Sequence, residues 1–277
     1  MYATVHLLIG NIDKYLKGAC ISAKSFRKYG NKNIQHVIMT TEIRPELYKY
    51  FDKIYIIKEL KYPTLVQNMK RYGSWLNICY TKWESLRLIE YEKILFCDAD
   101  ILAVKDYTQV FDFRPPGLVI YKPEYKNDTY NNIKTNTILL KEDIIDDSLS
   151  YVDHVFTKEN KLKLFNHDLI VEKINYTARS LMNASFVLLK PSMILYRKYI
   201  KFLDKLSKNK TEPIQCLTTA TQDEDTLSRF LLTQYNTITV LGKEYLYGGI
   251  IENFDSIIKP WNKKKEDMTE RELLWIT

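Results

Sequence analysis

No stretch of this sequence is apolar enough to cross a bilayer. A span needs roughly 18 consecutive apolar residues, and Lys, Glu or Arg interrupts every candidate run. Glycine and proline are scarce, 16 of 277 residues together. With 27% charged and 45% hydrophobic residues, that scarcity excludes collagen-like and disordered classes. Cysteine is sparse too. Cys20, Cys79, Cys97 and Cys216 stand far apart with no CxxC pair, so reduced core thiols of an intracellular protein are expected, with disulfides or zinc the lesser alternative. No basic segment precedes the short apolar run Tyr2–Gly10, which therefore reads as a first strand and not as a signal peptide. A cytoplasmic protein without a membrane span is the expectation. Nor does one sign of charge dominate: 41 basic residues meet 34 acids, a net charge of +7. That balance favours an anionic ligand. It falls short of a nucleic-acid signature, and with neither a basic stripe nor a helix-turn-helix pattern no nucleic-acid partner is expected.

What is present alternates strand and helix. Ala3 to Ile9 reads as a strand, and Tyr15, Leu16, Ala19, Cys20, Ala23 and Phe26 recur at helical spacing before a stop at Gly30. Ile34 to Thr40 and Lys53 to Ile57 read as further strands, separated by a short helix ending near Phe51. Trp75, Leu76, Cys79, Trp83, Leu86 and Ile89 predict a second long amphipathic helix. Lys93 to Cys97 is a short, almost continuously apolar strand, as expected when both faces of a parallel sheet are covered. The order argues for a Rossmann-like α/β sheet, whose ligands sit beyond the carboxyl ends of the strands. Residues 121–177 are polar and weakly periodic and read as an insertion or lid in a single domain spanning 1–277. The sheet resumes at Met182 to Lys190. A Lys-rich helix from about Pro191 to Lys208 follows, then a helix starting near Asp223 and a short C-terminal helix.

Asp98-Ala99-Asp100 directly follows the Lys93 to Cys97 strand. Two carboxylates two residues apart can grip one hard divalent cation whose shell is completed by waters and phosphates. The plainer alternative is a solvated turn, which Asp favours by itself. Phosphatases of the haloacid dehalogenase type also carry D-x-D, but usually after their first strand and with Thr or Val where this chain has Leu102. Lys82 on its helix reads most simply as a solvated side chain. Thr221-x-x-Glu224 fits a helix capping box, which would account for Asp223 and Glu224 without function. Lys259-Pro260-Trp261 is either a loop with a packing Trp or a phosphate contact.

Taken in order, these pieces resemble glycosyltransferase family 8, the glycogenin-like and galactinol-synthase-like retaining enzymes. The resemblance is carried by Leu7-Leu8-Ile9-Gly10-Asn11 through Tyr15, by Met69-Lys70-Arg71, by Thr81-Lys82-Trp83, and by Phe96-Cys97-Asp98-Ala99-Asp100. It continues in Met182-Asn183-Ala184-Ser185-Phe186, similar to the family's F-N-S-G segment, in Asp223-Glu224-Asp225, where the family has D-Q-G, and in Lys259-Pro260-Trp261-Asn262. It implies a GT-A fold, an α/β mixed sheet flanked by helices, that binds a UDP-sugar with Mn²⁺ or Mg²⁺. By this resemblance Leu8, Asn11 and Tyr15 would hold the nucleoside. Asp98 would meet the ribose, and Asp98, Asp100 and Asn253 the metal. Arg71 and Lys82 would meet phosphate or sugar, and Lys259 the β-phosphate. Asn183 and Asp223 would read sugar hydroxyls, Ala99, Ala184 and Ser185 would belong to the same nucleotide-sugar site, and Asp223, Glu224 and Lys82 are the catalytic candidates.

Three departures stand out. Asn253 occupies the place of the family's metal-binding His, Ser185 replaces the glycine, and Glu224 replaces Gln and would add a charge beside the donor. The expected activity is retaining transfer of a hexose from UDP-glucose or UDP-galactose to a glycan, polyol or protein. The alternative is a catalytically degenerate UDP-sugar-binding or scaffold protein. A homodimer is left open, and Tyr235, Tyr245 and Tyr247 are candidate self-glycosylation sites.

Overall fold

The computed structural model describes residues 1–9, 12–65, 73–120, 138–140, 182–215, 222–235, 237–246, 249–253, 260 and 263–275. Strand β1 (Tyr2–Leu8) is buried almost throughout because both its faces are covered. Ala3, Val5 and Leu7 enter one core, whereas Leu8 enters another together with Ala19 and Ala23 of helix α1 (Ile12–Tyr29). Alternate residues of a strand point to opposite faces, so one strand feeds two cores. At Gly30, just past α1, a Cβ would lie 2.5 Å from the Tyr107 hydroxyl oxygen and 2.7 Å from the Phe26 carbonyl oxygen. Close approach therefore requires glycine at this helix end.

Strands β2 (Ile34–Thr40) and β3 (Lys53–Ile56) extend the sheet in parallel on one side of β1. The two-residue strand β4 (Thr64–Leu65) follows. On the other side of β1, β5 (Lys93–Cys97) is also parallel. Next come β6 (Ile101–Ala103), β7 (Gly117–Ile120), β8 (Ile138–Leu140) and β9 (Met182–Leu189). The remainder comprises helix α2 (Met193–Leu206), β10 (Ile214–Gln215), helix α3 (Gln222–Gln234), β11 (Thr237–Leu241) and β12 (Ile251–Asn253). The main sheet has the order β3-β2-β1-β5-β9-β7-β11-β8. Its first four strands are parallel, and β9 runs antiparallel to both β5 and β7. Two small pairs, β4 with β10 and β6 with β12, lie outside it. The sequence-predicted strands and helices match these positions within a residue or two, and the α/β mixed sheet is the expected architecture.

The segment read as a second long amphipathic helix is different. It forms two 3₁₀ helices, Gly73–Asn77 and Cys79–Arg87, broken at Ile78, whose φ of −123° and ψ of −2° depart from helix. Every residue from Cys79 to Leu86 is buried. The reason is position: this segment packs between α2 and α3 and contributes Cys79, Tyr80, Trp83 and Leu86 to the core that receives Val5 and Phe96. A helix enclosed all round has no solvated face.

Of the expected insertion, Ile138–Leu140 adds an antiparallel edge strand to the main sheet. The rest of 121–177 lies outside the described residues, as does Cys216. Cys20, Cys79 and Cys97 are buried thiols outside any disulfide. Among the described residues, no helix is long and apolar enough to cross a membrane.

Candidate active site

Strand β5 is wholly apolar after Lys93, and its chain emerges at Asp98 on the edge where β1, β2 and β3 also end. Sheet pairing carries on one step beyond the strand: the Asp98 amide donates to the Ser185 carbonyl at 2.8 Å. The start of β9 therefore lies beside the D-x-D. There Asn183 is buried and its Oδ1 accepts from the Ser185 amide at 2.7 Å, a side-chain bond along the first residues of the strand. Ala184, also buried, donates its amide to Glu224 Oε1 at 3.2 Å. Glu224 thus ties the first turn of α3 to β9, and Thr221, the other member of the capping-box reading, lies outside the described residues.

Lys82 joins these pieces. Its Nζ lies 2.9 Å from each carboxylate oxygen of Asp98 and 2.6 Å from Asp223 Oδ2. It also sits over the Phe96 ring, 5.8 Å from the centroid. The Lys82 side chain is 8% exposed and that of Asp223 1%, so the solvated-lysine reading is corrected. Burial alone would strip Lys82 of its proton. Asp223 first and Asp98 next outweigh that effect and hold its pKa above the ordinary lysine range. The Asp98 carboxyl is pushed up to about 6 by burial; Lys82 pulls it down, and Asp100 and Asp223 push it up. Burial and then Asp223 push Glu224 up to about 8. The charge expected from Glu224 is therefore suppressed at neutral pH, and it stands as a neutral acid much as a Gln would. Asp223 Oδ1 has no hydrogen-bond partner among the described residues.

The remaining predicted residues fall as follows. Strand β12 pairs antiparallel with β6 so that Asn253 sits opposite Ile101, next along the chain from Asp100. Asn253 is buried, and its carbonyl oxygen accepts from Arg271 at 2.8 Å. Leu8, Tyr15 and Ala99 share one cluster under α1; Leu8 is fully enclosed, so its side chain packs in the core. Asn11, Arg71 and Lys259 lie outside the described residues. Tyr245 is 1% exposed and stacks on Phe186, which removes it as a self-glycosylation acceptor; Tyr235 is partly buried and Tyr247 is outside the described residues.

Among the described residues, no group of three or more His, Cys, Asp or Glu is placed to hold a metal. The donor set Asp98, Asp100 and Asn253 offers oxygen only. That chemistry fits a hard cation such as Mg²⁺ or Mn²⁺, which takes one or two carboxylates and leaves the rest of its shell to water and phosphate. A separate open depression of about 390 Å³, lined by Thr41, Glu42, Ile57, Lys58, Glu59 and Lys61, lies past the carboxyl ends of β2 and β3.

A family model described as glycosyl transferase family 8 matches residues 6–263. No curated protein sequence matches the chain. Among solved structures it is similar to the glycosyltransferase GlyE of Streptococcus pneumoniae TIGR4, with a TM-score of 0.52 at 14% identity. The apo form of GlyE gives 0.53 at 14%. Both likenesses cover 99% of this chain and 59% of GlyE, so the chain spans 59% of that protein's length. The galactosyltransferase LgtC, solved with donor and acceptor sugar analogs, gives 0.48 at 12% identity over 98% of this chain and 93% of LgtC. The likeness to GlyE places the chain in the GT-A fold.

Proposed function

The chain belongs to glycosyltransferase family 8, and from that premise we propose that it moves a hexose from UDP-glucose or UDP-galactose to an acceptor with retention. One observation carries the reading. Lys82 of the Cys79–Arg87 segment, Asp98 at the end of β5, and Asp223 and Glu224 of α3 converge in one cluster at the sheet edge where an α/β fold binds its ligand.

In this reading the nucleoside rests against Tyr15 and Asn11, next to Leu8 and Ala99, and the ribose meets Asp98. The diphosphate lies toward Arg71 and Lys259. Asn183, Ala184 and Ser185 face the sugar. Asp98 and Asp100, with Asn253 beside them, would hold a divalent cation whose contribution is to neutralise charge on the departing diphosphate. Lys82 orients Asp98 and Asp223, since its ammonium lies against both carboxylates, and it opposes the upward push of burial on Asp98. As the glycosidic bond breaks, the anomeric carbon gains positive charge. Asp223, with one oxygen unpartnered among the described residues, is the carboxylate available to stabilise it. Glu224, held neutral near pH 7, can offer a proton to a sugar hydroxyl without adding negative charge next to Asp223. The acceptor is a glycan, a polyol or a protein.

Incubation with UDP-glucose or UDP-galactose and Mn²⁺ should release UDP, and Asp100→Ala should lower that release on the order of 100-fold, as loss of a metal-centred electrostatic contact does. Undiminished release in the variant would sink the metal assignment. A second reading, a nucleotide-sugar-binding protein without turnover, is favoured by the Lys82 ammonium lying against both oxygens of Asp98, where it competes with a cation. Asn253 and Ser185 point the same way. Tight UDP binding by calorimetry with no transfer or hydrolysis of any donor would establish it, and measurable transfer would reject it.

A further inference from the structure

Helix α2 has a feature that the transfer chemistry leaves unused. Between Lys190 and Lys210 the chain holds seven basic residues against one acid, Asp204. That surplus of six compares with +7 for the whole chain, so elsewhere the charges nearly cancel. All seven basic side chains are exposed. Ile194, Lys198, Lys201 and Lys205 follow at four-, three- and four-residue steps, which aligns them along one side of a helix. Leu195, Tyr199 and Leu203 occupy the opposite, buried side. Arg197, Lys198, Lys201 and Lys205 make no ion pair among the described residues, while Asp204 accepts instead from the Tyr62 hydroxyl at 2.8 Å. The expectation of no basic stripe is thereby corrected. Their spacing aligns the lysines, and burial of Leu195, Tyr199 and Leu203 on the other side turns that row outward.

The stripe has an apolar end. Ile194 is 69% exposed and Ile89 60%, and their two segments meet where the Ser192 amide donates to the Leu86 carbonyl at 2.8 Å. Exposed isoleucines beside unpaired cations gain nothing from a soluble polyanion. A bilayer surface offers both partners, negative headgroups for the lysines and an apolar layer beneath for the isoleucines. Helix α2 packs against the Cys79–Arg87 segment and α3, which carry Lys82 and Asp223. Its exposed lysines therefore lie on the side of α2 away from those two elements.

We propose that the outer face of α2 docks on an anionic phospholipid surface, with Lys198, Lys201 and Lys205 against the headgroups and Ile194 at the interface. The test is co-sedimentation of the full chain with vesicles of phosphatidylcholine, alone or mixed with phosphatidylglycerol, at low and high salt. Binding should appear only with phosphatidylglycerol and weaken with salt. The triple variant Lys198→Gln, Lys201→Gln, Lys205→Gln should bind on the order of 100-fold more weakly, since each cation near such a surface contributes about a factor of five. A control replacing the exposed Lys24, Lys28 and Lys49 by Gln should bind like the parent. Circular dichroism of both variants should match the parent. No binding to the mixed vesicles overturns the proposal, and so does an equal loss in the control. Binding of duplex DNA through the same three lysines, without vesicle binding, overturns it in favour of a soluble polyanion.

Discussion

Two polar clusters are buried against the main sheet, and they solve the problem of burial in opposite ways. The first lies on the α1 side of the parallel half. Thr4 Oγ1 meets His36 Nδ1 at 2.8 Å, His6 Nε2 meets Ser22 Oγ at 2.9 Å, and the His36 amide donates to Asp52 at 2.7 Å. Burial lowers His6 to about 3, assisted by His36, and lowers His36 to about 4, with Arg27 adding to the effect and Asp52 opposing it. Both rings therefore stay neutral at physiological pH and their side-chain bonds join neutral partners, while Asp52 pairs with Arg27 at 2.9 Å nearer the surface. The second cluster sets the Lys82 ammonium against Asp98 and Asp223, with Glu224 neutral beside them, and leaves Asp223 Oδ1 unpartnered among the described residues. Neutral burial serves the fold. Charged burial is kept where a ligand would complete it.

If that contrast is correct, the largest effect should come from Lys82→Met. Removing the cation leaves two buried carboxylates without their counter-charge, which costs about 3 kcal/mol or more. Urea unfolding should show this, and UDP release should fall on the order of 100-fold or beyond. Adding Asp98→Asn and Asp223→Asn should restore stability but not transfer. Recovery of transfer would break the distinction between the clusters.

A smaller effect should follow from Glu224→Gln, and its sign is set by the raised pKa. The folded group titrates near 8, well above its unfolded value of 4.5, so the folded state binds the extra proton between those limits. Stability from this group is present at low pH and lost as pH rises toward 8. The Gln variant of the metal-free protein should therefore lose about 1–2 kcal/mol less than the parent between pH 6.5 and 8.5, measured by thermal unfolding.

The smallest effect belongs to the histidines and has the opposite sign. Their folded values lie below the unfolded 6.5, so the unfolded state binds more protons as the medium acidifies. Stability is complete above pH 6.5 and should decline by about 1 kcal/mol per histidine by pH 5.5. Urea unfolding across that range, with His36→Gln flattening part of the decline, checks it. A parent whose stability rises on acidification from 6.5 would show that the second cluster, not the histidines, governs the acid side.

The strands were the most legible part of the sequence. β2 and β5 coincide with their predicted bounds because a strand covered on both faces reads as an uninterrupted apolar run. Asp98 and Asp100 were legible for the same reason, since carboxylates that end such a run stand out. Lys82 was not. At helical spacing a lysine looks solvated, and only the packing of α2 and α3 around the Cys79–Arg87 segment encloses it. Glu224 carried a competing local explanation as a capping residue, and nothing local indicates that its carboxylate reaches the Ala184 amide.

What the sequence by itself determined is the alternation of strands and helices, the position of the paired carboxylates at a strand end, and the family whose motifs follow in that order. These depend on periodicity and near-neighbour chemistry, which a linear chain displays. Tertiary structure decided which charges meet. Asp98 and Asp223 share one ammonium, Asn253 is brought next to the D-x-D by pairing of β12 with β6, and the lysines of α2 become a stripe. Coulombic energies depend on distance and burial, and both are properties of the packed molecule.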